Sequence, residues 1–324
     1  MRLLRGHVLD AINSRRVNKR LIQRFLADQP RALPSAVLAN FPQLDLGRLY
    51  KSNLPLTALK QGLTSRNALS PVQAQYGAAM GYRLTQTTDP DYLGWIRQAA
   101  QANWQVTVDS EKTRRYAVMA YWDFFSLPTD VPAEQALTAL SDEALQAELI
   151  DFIDLKLLSP ECHTLTQGEA LSVHARYSRE AILSGLGVLE PTKKNTSREG
   201  VVKLPHGYAL FVTLDKSGNR FRDSIQYNDY ALEPNLFHWQ SQTSSAPNTA
   251  VGQQYIEQRQ TSLPIWLFVR ETVKTIEGGA RGFINCGRVD FVSSTGAKPM
   301  NVRWRLRHDL PNFLWPLAAK LRIG

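Results

Sequence analysis

Apolar positions recur with a helical period through the first half of the chain and with a strand period through the second. Leu4, Val8 and Ile12 fall at i, i+4 and i+8, and Val17, Leu21 and Phe25 repeat that spacing. This is the pattern of an amphipathic helix or a bent pair of helices. Arg15, Arg16, Lys19, Arg20 and Arg24 lie between these positions and give it a basic flank. Pro30 and Pro34 are expected to end it, because proline cannot donate to the helical ladder. Short segments follow around 36–41, 54–63 and 92–104. The stretch 111–125 predicts a longer buried helix through Tyr116, Met119, Ala120, Trp122 and Phe124. Ser141 then reads as an N-cap, with Asp142 and Glu143 at the positive end of the helix dipole. Leu145, Leu149, Phe152, Ile153 and Leu157 form the apolar stripe of that helix, and Pro160 closes it.

The period changes after about residue 165. One short helix is expected within 174–187, capped by Ser178 and stopped by Gly187. The polar stretch 190–200, with Lys193, Lys194, Asn195 and Ser197, reads as a loop. Beyond it, strand-like runs at 208–214, 237–242, 265–273, 283–292 and 302–306 alternate with turn signals such as Lys216-Ser217-Gly218-Asn219, Gly278-Gly279 and Ser294-Thr295-Gly296. Five or six such strands fit a small barrel or a strongly curved sheet. The predicted fold class is therefore α+β. An all-helical N-terminal domain, 1–164, precedes a domain built on a curved β-sheet or small β-barrel, 165–324. A length of 324 residues agrees with two domains.

Composition adds limits. Apolar residues make up 43% of the chain and charged residues 21%, as in ordinary globular proteins. No apolar run follows Met1-Arg2-Leu3-Leu4, and none approaches the roughly 18–20 residues that span a bilayer. A cytoplasmic protein without membrane contact is expected. Two cysteines, Cys162 and Cys286, form no CxxC pair, which argues against a structural zinc site and for free thiols. The net charge is +9, distributed as +8 over 1–60, −6 over 61–164 and +7 over 165–324. Two basic regions flanking an acidic middle suit a polyanionic partner, and the acidic middle suits a basic protein.

The chain carries no GxxxxGK[ST] loop, no GxSxG elbow and no HExxH. It also lacks the HxK pair of phospholipase-D-type nucleases. Glu148, Asp151, Asp154 and Lys156 imitate part of a metal-dependent nuclease motif, but on a helix, where they read as solvated charge. Cys162-His163 has no second pair at ligand spacing. No catalytic residue, metal or cofactor is expected, and the chain does not read as an enzyme.

Binding chemistry gathers in Phe237-His238-Trp239-Gln240-Ser241-Gln242. Strand alternation puts Phe237, Trp239 and Ser241 on one face and His238, Gln240 and Gln242 on the other. Gln both donates and accepts, which suits a base edge, and Trp239 offers a stacking plane. Tyr227, Asp229 and Tyr230 add two aromatics and a carboxylate able to accept from an exocyclic amine. The same pattern also fits a core tryptophan beneath a solvated glutamine row. Basic residues nearby are Lys216, Arg220, Arg222, Lys298, Arg303, Arg305 and Arg307. The last three share one strand face, where phosphate contact or plain solvation is the natural use.

One string gives a further lead. His174-Ala175-Arg176-Tyr177-Ser178-Arg179-Glu180 resembles the opening motif of a bacterial domain family long of unknown function. The resemblance continues through Arg198-Glu199-Gly200-Val201, Phe211-Val212-Thr213-Leu214, Tyr227-Asn228-Asp229-Tyr230-Ala231 and Phe237–Gln242. It runs on through Gly252-Gln253-Gln254-Tyr255-Ile256, Leu267-Phe268-Val269-Arg270-Glu271, Gly287-Arg288-Val289 and Lys298-Pro299-Met300. In that family the domain usually closes large proteins that carry a phospholipase-D-type nuclease and a superfamily 2 helicase, as in SauUSI-type type IV restriction enzymes. The resemblance implies an SRA- or PUA-like target-recognition domain for double-stranded DNA bearing 5-methyl- or 5-hydroxymethylcytosine, reading the base by flipping it. On residue chemistry, Trp239 or Tyr227 would stack on the flipped base and Asp229 and Gln240 would bond its edge, with Tyr230, His238, Ser241 and Gln242 around them. Lys216, Arg220, Arg222, Lys298, Arg303 and Arg305 would hold phosphates. Residues 1–324 carry neither nuclease nor helicase motif, so those activities would belong to another region or chain, in a restriction or phage-defence setting. A module that tethers a helicase or nuclease without base specificity is the alternative.

Overall fold

The computed structural model describes residues 19–162, 164–165, 169–194, 198–215, 229–276 and 278–320. The helical positions expected before residue 19 lie outside them. Among the described residues, nine α-helices precede the first strand: α1 (Lys19–Asp28), α2 (Pro34–Asn40), α3 (Leu46–Tyr50), α4 (Leu56–Lys60), α5 (Pro71–Ala78), α6 (Pro90–Gln101), α7 (Glu111–Phe124), α8 (Ala133–Leu137) and α9 (Glu143–Leu157). The remainder is β1 (Arg176–Tyr177), α10 (Arg179–Gly185), β2 (Val201–Leu204), β3 (Gly207–Thr213), β4 (Tyr230–Glu233), β5 (Leu236–Gln240), α11 (Ala250–Ile256), α12 (Gln258–Thr261), β6 (Ile265–Arg270), β7 (Phe283–Thr295), β8 (Asn301–Leu306) and α13 (Trp315–Lys320). The α+β class expected from the periodicities holds. No described helix is long and apolar enough to cross a membrane.

Local chemistry explains the helix ends and corrects some of the readings. α1 buries Ile22 and Leu26, one position on from the expected Leu21 and Phe25, and Leu21 is exposed. Pro34 does not stop a helix; it starts α2 at the first turn, where its missing N–H costs nothing. Asp142, not Ser141, caps α9, its carboxylate accepting from Leu145 N at 2.9 Å. Ser178 caps α10 as expected, and Gly187 takes the positive φ that follows it.

Of the charged residues singled out on α9, Glu148 and Lys156 are not solvated, and Asp151 and Asp154 are half-buried. Glu148 is buried and accepts from Tyr50 Oη (2.8 Å), Leu56 N (2.6 Å), Thr57 N (2.8 Å) and Thr57 Oγ1 (2.8 Å). Lys156 is buried too and donates to Thr85 O at 2.8 Å. Asp151 accepts from the backbone and hydroxyl of Ser35, and Asp154 pairs with Arg97. The nuclease-like fragment is thus a set of ties that fasten α9 to α2, α4 and α6.

The strands form one mixed eight-stranded sheet in the order β2-β3-β6-β7-β8-β5-β4, with β1 added to β7. Only β3 and β6 run parallel among the described pairings. β7 is 13 residues long and belongs to both halves of the sheet. Its first part pairs with β1 and β6, its second with β8. Register shifts near Gly287, which has φ +82°, and between Phe291 and Ser293 bend it, so the sheet curls.

The curl has two cores. Inside it lie Leu210, Val212, Leu267, Val269, Phe237, Trp239 and Trp304, closed by Tyr255 of α11 and Ala318 of α13. The opposite side of β3 and β6 presents Ala209, Phe211, Trp266 and Phe268 to the helices. That second core is continuous with the helical half, through α10 against α7 and through Tyr177, whose hydroxyl donates to Asp89. Thr88 and Arg176 also bond reciprocally, Arg176 N to Thr88 Oγ1 (2.8 Å) and Thr88 N to Arg176 O (3.1 Å). The boundary expected near 164 falls between segments that share one core.

Candidate nucleic-acid interface

β4, β5, β8 and the end of β7 have one face in the core and one open, as their alternating burial shows. The register aligns the open face in rows. Tyr230, His238, Arg303 and Ser293 lie opposite one another across four strands, and Gln240, Asn301 and Thr295 form the next row. Tyr230 and His238 stack with ring centroids 4.6 Å apart and planes 11° apart. Gln240 Nε2 donates to Asn301 Oδ1 at 2.9 Å, which fixes that amide on the surface. Arg303 is exposed and makes no ion pair among the described residues. Lys298 is exposed on the turn into β8.

Several expected site residues play other parts. Trp239 is 3% exposed. Its ring packs edge-on against Tyr255 at 5.6 Å and tilted against Trp304 at 6.3 Å, so a base cannot stack on it without opening the core. Ser241 is fully buried; its Oγ accepts from Met300 N (2.9 Å) and donates to Gln242 O (3.1 Å), pinning the end of β5. Asp229 is buried, and its carboxylate accepts from Gln240 N at 2.9 Å. Gln242 is half-buried just past the strand.

Arg303, Arg305 and Arg307 share the open face as expected, but two of the charges are already answered. Arg305 bonds Asn235 (2.8 Å) and lies 3.5 Å from Glu233. Arg307 pairs with Asp290 at 2.9 Å and holds that carboxyl below its usual range. Tyr227, Lys216, Arg220 and Arg222 lie outside the described residues.

A cavity of about 740 Å³ opens where the helices meet the sheet, with His174, His308 and Phe313 on its walls. At its base Arg176 grips Glu271 with two hydrogen bonds, 2.8 and 2.6 Å, and Arg281 adds a third at 3.1 Å. Burial pushes the Glu271 carboxyl up, but the bonds from Arg176 and Arg281 outweigh it and hold it at about 2. His174 Nε2 lies 2.9 Å from Asp309 O, and burial lowers its pKa. These residues were not singled out as a site in the sequence. Their signal was present, because His174 to Glu180 packs two arginines, a histidine and a tyrosine into seven positions, too polar for the core strand and helix they form.

Residues 171–317 match the model of a family described as Domain of unknown function (DUF3427), the segment that carries the ordered motifs. No curated protein matches the chain. A crystal structure of Arabidopsis thaliana SUVH6 in complex with SAM superposes with a TM-score of 0.30 and 12% identity, covering 69% of this chain. The chain spans 41% of that protein's length.

Proposed function

We propose that this protein is a DNA-recognition module that reads double-stranded DNA across the open face of β4, β5, β8 and β7. The observation that carries this reading is the row of Tyr230, His238 and Arg303, a stacked aromatic pair beside a cation with no ion pair among the described residues. Aromatic planes stack on bases, arginines take phosphates or guanine edges, and fixed amides such as Gln240 and Asn301 suit base edges. A net charge of +9 supports association with a polyanion. Preference for 5-methyl- or 5-hydroxymethylcytosine rests on the motif resemblance of 165–324, and the 740 Å³ cavity is large enough to receive a flipped base. On this reading the chain performs no chemistry, and a helicase and nuclease supply cleavage in a restriction or phage-defence system.

The test is binding to one duplex with and without 5-methylcytosine over a salt series. The wild type is expected to prefer the methylated duplex at every salt concentration. Tyr230→Ala and His238→Ala should each lose about 1–3 kcal/mol of binding. Arg303→Ala should weaken both duplexes alike and flatten the salt slope by about one. Unchanged DNA affinity in all three folded variants would sink the reading. A second reading, docking of a helicase or nuclease partner, is favoured by an apolar groove on the helical half lined by Phe125, Leu127 and Val131. Co-purification with such a partner in the absence of DNA affinity would select it.

A further inference from the structure

A second cleft, of about 450 Å³, lies on the other side of Arg281, between the helices and the hairpin that leads into β7. Among its described lining residues are Arg83, Arg179, Arg198, Arg270 and Arg281, against one carboxylate, Glu180. Arg281 is answered by Glu271 at 3.1 Å, and Arg198 by Glu180 at 3.3 Å. Arg179 and Arg270 have no carboxylate within salt-bridge distance among the described residues.

Both are nevertheless held firmly. The Arg179 guanidinium sits 4.0 Å over the Phe211 ring and that of Arg270 4.4 Å over Phe283, and the two rings meet edge-on at 5.1 Å. Arg270 Nε donates to Thr213 Oγ1 at 2.9 Å, and Arg179 Nη2 donates to Glu199 O at 2.7 Å. Arg179 Nε is buried with no hydrogen-bond partner. Arg83 approaches from the helical side, its Nη1 on Asp123 O at 2.6 Å.

Burying cations with no carboxylate in direct contact is costly, and a buried donor without an acceptor adds to that cost. Burial lowers both guanidinium pKa values to about 10; neighbouring arginines add to the shift at both, while the charges of Glu180 and Glu199 oppose it at Arg179. A core that merely needed to be filled would use apolar side chains here. The arrangement instead fixes two planar guanidinium groups on aromatic faces in the lining of one cleft, and guanidinium groups are the side chains best suited to bind a phosphoryl group.

We propose that this arginine cleft is a binding site for a phosphoryl group, carried either by a mononucleotide or by the terminal phosphate of a nucleic acid. The volume suits a nucleotide-sized ligand. The site uses none of the residues of the open sheet face, so it stands or falls separately from the reading given above.

Thermal unfolding tests it, with inorganic phosphate or deoxycytidine monophosphate compared with sodium chloride at equal ionic strength. At a hundredfold excess over Kd the wild-type Tm should rise by about 4 °C. Phosphate salts stabilise proteins generically, so the readout is the difference from R179Q/R270Q. That double variant should lose the specific rise, read against its own Tm in chloride. R198Q, altered at an exposed position, should lose part of the rise and guards against misfolding of the double variant. Equal rises in the wild type and in folded variants would overturn the proposal, as would no rise in the wild type. Oligonucleotides distinguish the source. Binding at least tenfold tighter to a 5′-phosphorylated strand than to its 5′-hydroxyl form, lost in the variant, assigns the site to a nucleic-acid end. A rise with the small anions alone assigns it to a mononucleotide or free phosphate.

Discussion

His238 and Trp239 are adjacent on β5 and face opposite ways, one in the open row with Tyr230 and Arg303, the other between Tyr255 and Trp304. Truncating a large buried aromatic leaves a cavity and removes its transfer free energy. Trp239→Ala is therefore expected to lose about 3–5 kcal/mol of stability in urea unfolding, and its effect on DNA binding should follow from unfolding. A Trp239→Ala protein with wild-type stability and no preference for modified DNA would return the reading role to Trp239. The alternation of this strand was legible in the sequence, and the structure keeps both of its faces. Which face was inside was not legible, because the decision rests on Tyr255 from α11 and Trp304 from β8, whose positions depend on the curl of the sheet. On the proposed function, the aromatic side chain offered to a base is therefore His238 rather than Trp239.

Among the elements, long periodic helices such as α7 and α9 were evident from their stripes, while β2 and β4, four residues each, and the two-residue β1 were too short to show a period. The burial of Glu148 was hidden for a related reason, since helical spacing gives its position on α9 but not the docking of the Leu56 and Thr57 amides onto it. Asp123 on α7 is a similar case. It is buried, its Oδ2 accepts from Tyr92 Oη at 2.8 Å, and burial pushes its pKa up to about 7 against the pull of Arg83 and Tyr92. Between about pH 4 and 7 the folded protein keeps a proton on Asp123 that the unfolded chain releases, so stability falls as pH rises through that window and levels off above it. Burial raises Asp89 and Glu148 too, and they act with the same sign. Asp123→Asn removes one of these titrations. Its stability relative to wild type should improve by about 2–3 kcal/mol between pH 5 and pH 8, measured by denaturant unfolding at the two values. No change in that difference would mean Asp123 is ionised throughout.

For the molecule as a whole, the question is whether the two compositional halves are independent. The sequence held one sign that they are not. Leu210-Phe211-Val212 and Trp266-Leu267-Phe268-Val269 are unbroken apolar runs, as expected of strands covered on both faces, and β3 and β6 are buried on both. The second cover is the helical half, which meets Ala209, Phe211, Trp266, Phe268 and Phe283 in one core with α7 and α10. The full chain is therefore expected to unfold in a single cooperative transition. A fragment of 165–324 would expose that apolar face, bind a hydrophobic dye and melt well below the full chain or aggregate. It would also lose Arg83 and Tyr82 from the arginine cleft, so any phosphate-dependent rise in Tm should shrink even where the fragment folds. Two separate transitions in the full chain, with a fragment as stable as the second of them, would restore the division near 164 and leave the shared core as a docking contact. A single transition would make the helical half part of one folding unit with the sheet, because it covers the outer face of β3 and β6 in the same sheet whose other end presents Tyr230, His238 and Arg303.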